Sequence, residues 1–473
     1  MNYIKTKFLT TYLFLLVLAV SVNVQAQAPG GVKNPVLWEN TWEANSQEEH
    51  GNPLFNYHPY KFFNEDRGYS ELPLKGLKKM SLFVVFSSDR PTEIGRINTG
   101  RGEVILTDTT VVSRRSIPYE KVLKPKFISY IESFPGGNIT LKDQPHFMIG
   151  SKEVKDNWYE GGIAEVIMYD RLISKTQRQK IESYLSIKYG ISLPDTSNYL
   201  RSDGAKIRVG KGHPKYKHNV TGIGRDDAGG LLQKQSHNLY SDIDLTIGLG
   251  QLSDMNKKNA NAIENHSYLI WADDNGPSSF KKKKTVDTKR TVLGRKWELS
   301  IIGDDIKNIP MTVKLDASAI AEYNPNEKLW LVVSNSDVGI LEDSATDYFE
   351  MKKSKEGMVA QDVYFDKNES GMDYISFVQM PDILAEIENR NLVSDVLYPN
   401  PVGSAGEFTL SLSGYEDTAL TVSIYDVTGQ MVRHQEFDTG KTFVYQDKLK
   451  LPGAYMVKVE GEKTNVSYKL IVQ

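Results

Sequence analysis

Gly161-Gly162-Ile163-Ala164-Glu165-Val166-Ile167-Met168-Tyr169-Asp170-Arg171, then Ser174-Lys175-Thr176-Gln177 and a run ending Tyr184-Leu185-Ser186-Ile187-Lys188-Tyr189-Gly190-Ile191, set two kinds of pattern side by side. Its first part is rich in β-branched residues and bounded by glycine and aspartate, which predicts a strand. Its second part opens on a capping box from Ser174 to Gln177 and carries Ile181, Tyr184 and Leu185 on one face. Gly190 stands where a left-handed C-terminal residue is wanted. A strand followed by one short helix is therefore expected.

Outward from that segment, strands dominate. Residues 80–86 and 127–131 share its β-branched and aromatic character, and 242–248, 267–271, 296–302, 311–315, 329–334 and 373–379 repeat it between turn residues. Strands do not alternate with long helices, which argues against a parallel α/β fold and for an all-β chain. At 473 residues the length suggests about three domains. Lys plus Arg number 57 against 60 Asp plus Glu, so a net charge of -3 offers no broad field for nucleic acid, and none is expected as partner. With no cysteine there is no disulfide, thiol nucleophile or thiolate metal site, and the domains stand on packing alone.

The N-terminus reads as a secretory signal peptide over residues 1–26. Lys5 and Lys7 give a positive start, 8–22 are mostly apolar, and Val24-Gln25-Ala26 places small residues for cleavage after Ala26. That apolar run falls short of the roughly 20 residues a spanning helix needs, so no transmembrane segment is expected in the mature chain.

At the other end, Leu397-Tyr398-Pro399-Asn400-Pro401 opens a series of short strands, Thr421-Val422-Ser423-Ile424-Tyr425-Asp426 leads into Val427-Thr428-Gly429-Gln430, and Gly453-Ala454-Tyr455 precedes Met456-Val457-Lys458-Val459. Together these resemble the C-terminal sorting domain of the type IX secretion system of Bacteroidetes. The resemblance implies a small Ig-like sandwich over 394–473, the secretion machinery as partner, and an extracellular destination, on the cell surface or released, by way of the periplasm. The 161–193 segment resembles the end of a LamG-like, concanavalin-A-like jelly roll, which would occupy 30–193. His218-Asn219-Val220-Thr221-Gly222-Ile223-Gly224-Arg225-Asp226-Asp227, with Leu245-Thr246-Ile247-Gly248-Leu249-Gly250, resembles an uncharacterised bacterial β domain, placed at 196–385.

Catalytic patterns are scarce. Hydrolases of the concanavalin-A-like kind commonly carry Glu-x-Asp-x-Glu or Glu-x-Asp-x-x-Glu on one strand, and this chain has neither. Glu160 and Glu165 could line a concave face, although Glu165 also suits an ordinary edge position. There is no Gly-x-Ser-x-Gly elbow, no His-Glu-x-x-His, and the histidines, of which His213 and His218 are closest, form no triad. Catalytic residues are therefore assigned to none of these, and no cofactor is expected beyond calcium. For calcium, Asp226-Asp227 and Asp273-Asp274-Asn275 gather oxygen ligands at turns, against the plainer reading of turn formers and a structural ion pair at Arg225-Asp226-Asp227. Gly222 and Gly224 suggest a bulge rather than a phosphate cradle. Trp158 and Tyr159, flanked by Asp156-Asn157 and Glu160-Gly161, are the aromatic pair expected to be exposed for ligand stacking, core packing being the alternative. Lys281 to Lys284 reads as a solvated loop.

The preferred function is non-catalytic binding or adhesion to a glycan or surface protein. The alternatives are a secreted glycan hydrolase with an acidic pair assembled across strands, and a structural surface component.

Overall fold

The computed structural model describes residues 27–40, 54–64, 70–73, 78–88, 93–98, 103–113, 116–118, 126–133, 146–149, 159–282, 291–303, 305–337, 347–355, 357–380, 394–403, 406–413, 419–438, 442–462 and 465–473. The expected signal peptide with its cleavage residue Ala26, and Trp158, lie outside the described residues. Within them the protein is nearly all β, with a single α-helix at Lys175–Tyr189.

Two antiparallel sheets form the first sandwich. One has the order Leu37–Glu39, Gly161–Tyr169, Lys79–Phe86, Lys126–Ser133, with Lys61–Phe63 also paired to Gly161–Tyr169. The other runs Ser116–Pro118, Thr110–Val112, Glu103–Thr107, Glu93–Asn98, His146–Ile149, Ser70–Pro73. Leu82, Val84, Phe86 and Val166 of the first meet Ile94, Ile97, Phe147 and Ile149 of the second in one core. The six-stranded sheet was nearly invisible in sequence because its strands are three to six residues long.

A second sandwich follows. Its nine-stranded sheet is built around His218–Asp226, Tyr268–Asp273, Trp297–Ile302, Met372–Met380 and Lys328–Ser334, and it packs on a five-stranded sheet of Gln235–His237, Leu245–Leu249, Met311–Leu315, Gly357–Val363 and Lys352–Ser354. Trp271, Leu299, Leu331 and Phe377 from one sheet and Ile247, Leu249, Val313 and Leu315 from the other share its core.

The helix lies between these sandwiches. Ser174 accepts from the Gln177 amide while the Gln177 side chain accepts from the Ser174 amide, as the capping box requires, and Gly190 ends the helix at φ 62. A side chain at Gly190 would strike the His237 carbonyl, so close approach as well as left-handed backbone selects glycine there. Ile181, Leu185 and Ile187 join Phe83, Val85, Ala164 and Ile167 of the first sandwich and Val220, Tyr268, Ile270 and Ala272 of the second in a third core. Each fully buried aliphatic side chain there contributes about 2 kcal/mol. Layers on both sides explain why Gly161–Tyr169 is buried along its whole length rather than alternately.

The last unit pairs a three-stranded sheet, Ser394–Tyr398, Glu407–Ser413 and Thr442–Lys448, with a four-stranded sheet, Met431–Asp438, Ala419–Tyr425, Gly453–Glu460 and Asn465–Val472. Its core, including Phe408, Leu410, Val422, Ile424, Val457 and Leu470, is its own. Asn400 ties the entering chain to the last strand, donating to the Lys469 carbonyl at 2.6 Å and accepting from the Ile471 amide at 2.9 Å. Asp426 holds the following turn by accepting from the amides of Thr428 at 2.8 Å and Gln430 at 3.0 Å. Both motifs that drew attention in the sequence thus have local structural work.

Candidate functional site

Tyr159 is not the exposed ring that its polar neighbours suggested. It is 1 % exposed, packs 5.6 Å from the Phe63 ring, and its hydroxyl lies 2.5 Å from the Ser87 carbonyl and 2.9 Å from that of Gly162. Buried carbonyls want a donor, and this tyrosine supplies it.

The two oxygen-rich turns stand at opposite ends of neighbouring strands. His218 pairs with Asp273 and Gly224 with Tyr268, so Asp226 and Asp273 are separated by about 20 Å or more of strand rise. Asp226 is consumed locally, accepting from the Ser202 amide at 2.7 Å, the Ser202 hydroxyl at 2.6 Å and the Gly229 amide at 2.9 Å. Asp227 pairs with Arg225 at 2.7 Å. Asp273 accepts from the Asn219 side chain at 2.7 Å and the Asn275 amide at 2.8 Å, and Asp274 from the amides of Gly276 and Lys296, both at 3.0 Å. Among the described residues no group of three or more acids or histidines is placed to hold a metal. Gly222 and Gly224 do not form the bulge expected of them; it falls between His218 and Thr221. These glycines instead leave room for Ile270 and Tyr268 on the helix side.

Glu165 is neither at an edge nor in a groove. Between Ile163 and Glu165 the register with Lys79–Phe86 shifts, and this bulge turns Glu165 toward the helix. There its carboxylate, 1 % exposed as a residue, accepts from Trp38 Nε1 at 2.7 Å, the hydroxyls of Tyr184 at 3.0 Å and Tyr189 at 2.8 Å, and Lys188 Nζ at 2.7 Å. Burial first, then the Glu165 charge, holds both tyrosine hydroxyls well above their usual range. Both carboxylate oxygens are engaged, so this constellation joins layers rather than offering a reactive group.

His58 lies beside it, with Nε2 2.6 Å from Gln233 Oε1 and its ring 5.6 Å from that of Tyr189. Burial, reinforced by Lys188, pushes its pKa from 6.5 down to about 3. Between those values the unfolded chain carries a proton on this imidazole that the folded chain refuses, so stability falls as pH falls through that window. Asp373, pushed up to about 6 by burial, acts in the opposite sense, its contribution being lost as pH rises toward 6. Urea unfolding across pH 4 to 7 should show a shallower acid loss in His58→Gln than in the parent; parallel curves would contradict the assignment.

A cleft of about 990 Å³ opens between the two large sandwiches. Its first wall is Lys126–Ser133, the outermost strand of its sheet. Strand alternation sends Ile128 and Tyr130 into the sandwich core and leaves Phe127, Ser129 and Ile131 half-buried on the cleft side. The helix supplies Arg178 and Glu182, which pair at 2.7 Å, and Ser129 donates to Glu182 at 2.7 Å. From the second sandwich come Asn219, Asn275, His218 and Tyr240, the last with its hydroxyl pushed up to about 12 by burial. Asp195 and Lys217 pair on the rim at 3.1 Å. Asn275, in the sequence a turn former and candidate calcium ligand, is a cleft residue whose amide donates to Asp273. Sequence reasoning missed the cleft itself; the one available signal was the apolar character of both faces of residues 127–131, which marks a strand with neighbours on each side. His213 takes no part in it and lies against Glu298 at 2.5 Å. Paired charges, amides and rings are groups that can hold a ligand.

Tandem antiparallel sandwiches joined through a buried helix, with a cleft between them, make this a modular all-β protein. Residues 396–473 match the family described as a secretion system C-terminal sorting domain, and the chain is a type IX secretion substrate, exported to the cell surface or the extracellular space. Residues 177–369 match a domain of unknown function, DUF8202. No curated protein matches the chain. Solved structures that resemble parts of it include a superoxide reductase (neelaredoxin) from Ignicoccus hospitalis, 13 % identical over 17 % of this chain and 79 % of that one, TM-score 0.14. A Parabacteroides merdae β-glucuronidase is 14 % identical over 34 % and 27 %, TM-score 0.13, and a polysaccharide lyase 10 % identical over 57 % and 37 %, TM-score 0.15. Likenesses this faint carry no argument. Among the described residues no helix is long and apolar enough to cross a membrane.

Proposed function

We propose that the exported chain is a non-catalytic binding or adhesion protein that holds a glycan or protein ligand in the cleft between its two large sandwiches. The observation that carries this reading is the row Phe127, Ser129 and Ile131, half-buried on the wall of the cleft that Tyr240, Asn219 and Asn275 also line. Rings beside amides are the chemistry of sugar and peptide recognition. The carboxylates Glu182 and Asp195 are each tied to a cation, which suits binding better than a hydrolytic acid pair. In this reading residues 30–193 are the LamG-like jelly roll that their sequence resembles and supply one wall, 196–385 supply the other, and 394–473 are the sorting module. The supporting feature for the first is its pair of antiparallel sheets around one core.

The test is retention of the mature full-length chain on a glycan array and on immobilised surface proteins. Phe127→Ala combined with Tyr240→Ala should weaken whichever ligand is found by about tenfold, two rings contributing roughly 0.5–1.5 kcal/mol each. Unchanged retention in that double variant would remove the cleft from consideration.

A further inference from the structure

A second concave surface lies on the outer face of the five-stranded sheet, where the chain crosses from Asp347–Glu350 to the edge hairpin Lys352–Ser354 and Gly357–Val363. The register there is informative. Lys352 stands opposite Val359, Val359 opposite Lys314, and Lys314 opposite Thr246. Directly opposed residues share a face, and the intervening Val313, Leu315 and Ala360 point into the core. Lys314 and Lys352 therefore project outward from one row. Lys353 and Lys355 join them around a pocket of about 760 Å³ that also takes in Tyr348, Gln251 and Gln361.

Charge in this pocket departs from that of the whole chain. Four lysines line it against two acids, Glu350 and Asp362; Glu350 pairs with Lys328 at 3.2 Å, and Lys314 lies in the field of Asp244. The protein overall carries -3. Tyr348 presents its ring at the surface, 36 % exposed. Lysine ammonium groups attract carboxylate or sulfate as point charges, an exposed aromatic face takes the apolar face of a sugar, and glutamine amides suit its hydroxyls. Of the two aromatic residues that line the pocket, Phe349 packs against the core, and a single exposed Tyr348 does not give the series of stacking platforms that single-stranded nucleic acid uses.

We infer that this pocket binds an acidic polysaccharide, a sugar chain bearing carboxylate or sulfate groups. It is separate from the cleft and independent of what the cleft holds.

The mature chain is titrated calorimetrically with polygalacturonate, chondroitin sulfate, neutral dextran and poly-L-glutamate. Both acidic polysaccharides should bind, more weakly as salt rises, while dextran should bind at least about tenfold less well for want of charge and polyglutamate about threefold to tenfold less well for want of a sugar face to stack. Lys352→Gln, Lys353→Gln and Lys355→Gln together should cost about tenfold or more, each exposed charge contact being worth up to about fivefold. Tyr348→Ala should cost about threefold to tenfold for the sugars and nothing for polyglutamate. Lys281→Gln with Lys282→Gln, and the Phe127→Ala Tyr240→Ala cleft variant, should bind as the parent does. Since Lys352, Lys353 and Lys355 are exposed, the triple variant should keep the parent's unfolding midpoint. Equal binding of polyglutamate and polygalacturonate, an unaffected triple variant, or no binding to either acidic polysaccharide overturns the inference.

Discussion

Glu165→Ala is expected to destabilise the protein by about 3–5 kcal/mol, the range seen when one partner of a buried ion pair is removed. The substitution strands Lys188, whose ammonium group lies 2.7 Å from the carboxylate and sits against the rings of Tyr184 and Tyr189 at 5.2 and 5.1 Å. It also takes the acceptor from Trp38 Nε1 and from two tyrosine hydroxyls at once. Urea unfolding of the mature chain measures the loss. Adding Lys188→Met removes the stranded charge and should recover a large part of the stability, because an apolar replacement for a buried pair is often close to neutral. A single Glu165→Ala variant within about 1 kcal/mol of the parent would mean that the network stabilises nothing, since an unremarkable surface change costs about 0.5 kcal/mol or less.

The second large effect concerns delivery. Removing residues from Val396 onward should leave the remaining chain folded and trapped in the periplasm, whereas the full chain reaches the surface or the medium. The sorting unit has a core of its own, built from Phe408 to Val472 with Val402, and shares none of it with the preceding sandwiches. Its loss therefore leaves their cores untouched, and a block in display reads as lost sorting rather than misfolding. Cell fractionation with protease shaving reports the outcome, and normal surface display of the truncated chain would end the sorting assignment for this segment.

Strong local signals survived in the sequence, and features made by distant residues did not. The capping box at Ser174 and the glycine at 190 needed only neighbours, and both stand as read. Residues 80–86 and 311–315 announced strands through composition alone. Glu165 was misjudged because a bulge, which no composition encodes, rotates it from one face of its strand to the other. Tyr159 was misjudged because its polar sequence neighbours say nothing of the Ser87 carbonyl, 72 positions away, that its hydroxyl meets. The lysines at 352, 353 and 355 are a visible local run, but Lys314 joins them only through strand register. The cleft between sandwiches is harder still, since its two walls come from segments about 100 residues apart whose juxtaposition depends on the helix between them.

That shared helix sets an order of events as the chain is synthesised, N-terminus first. Asn56 reaches its partner at His237 across 181 positions, and the layer of Val220, Tyr268, Ile270 and Ala272 that seals the helix comes later than every strand of the first sandwich. Until about residue 272 has been made, the helix that covers Phe83, Val85 and Ile167 lacks the layer of Val220, Tyr268, Ile270 and Ala272 on its other side. A chain that ends between residues 190 and 272 thus carries a helix clad on one side only.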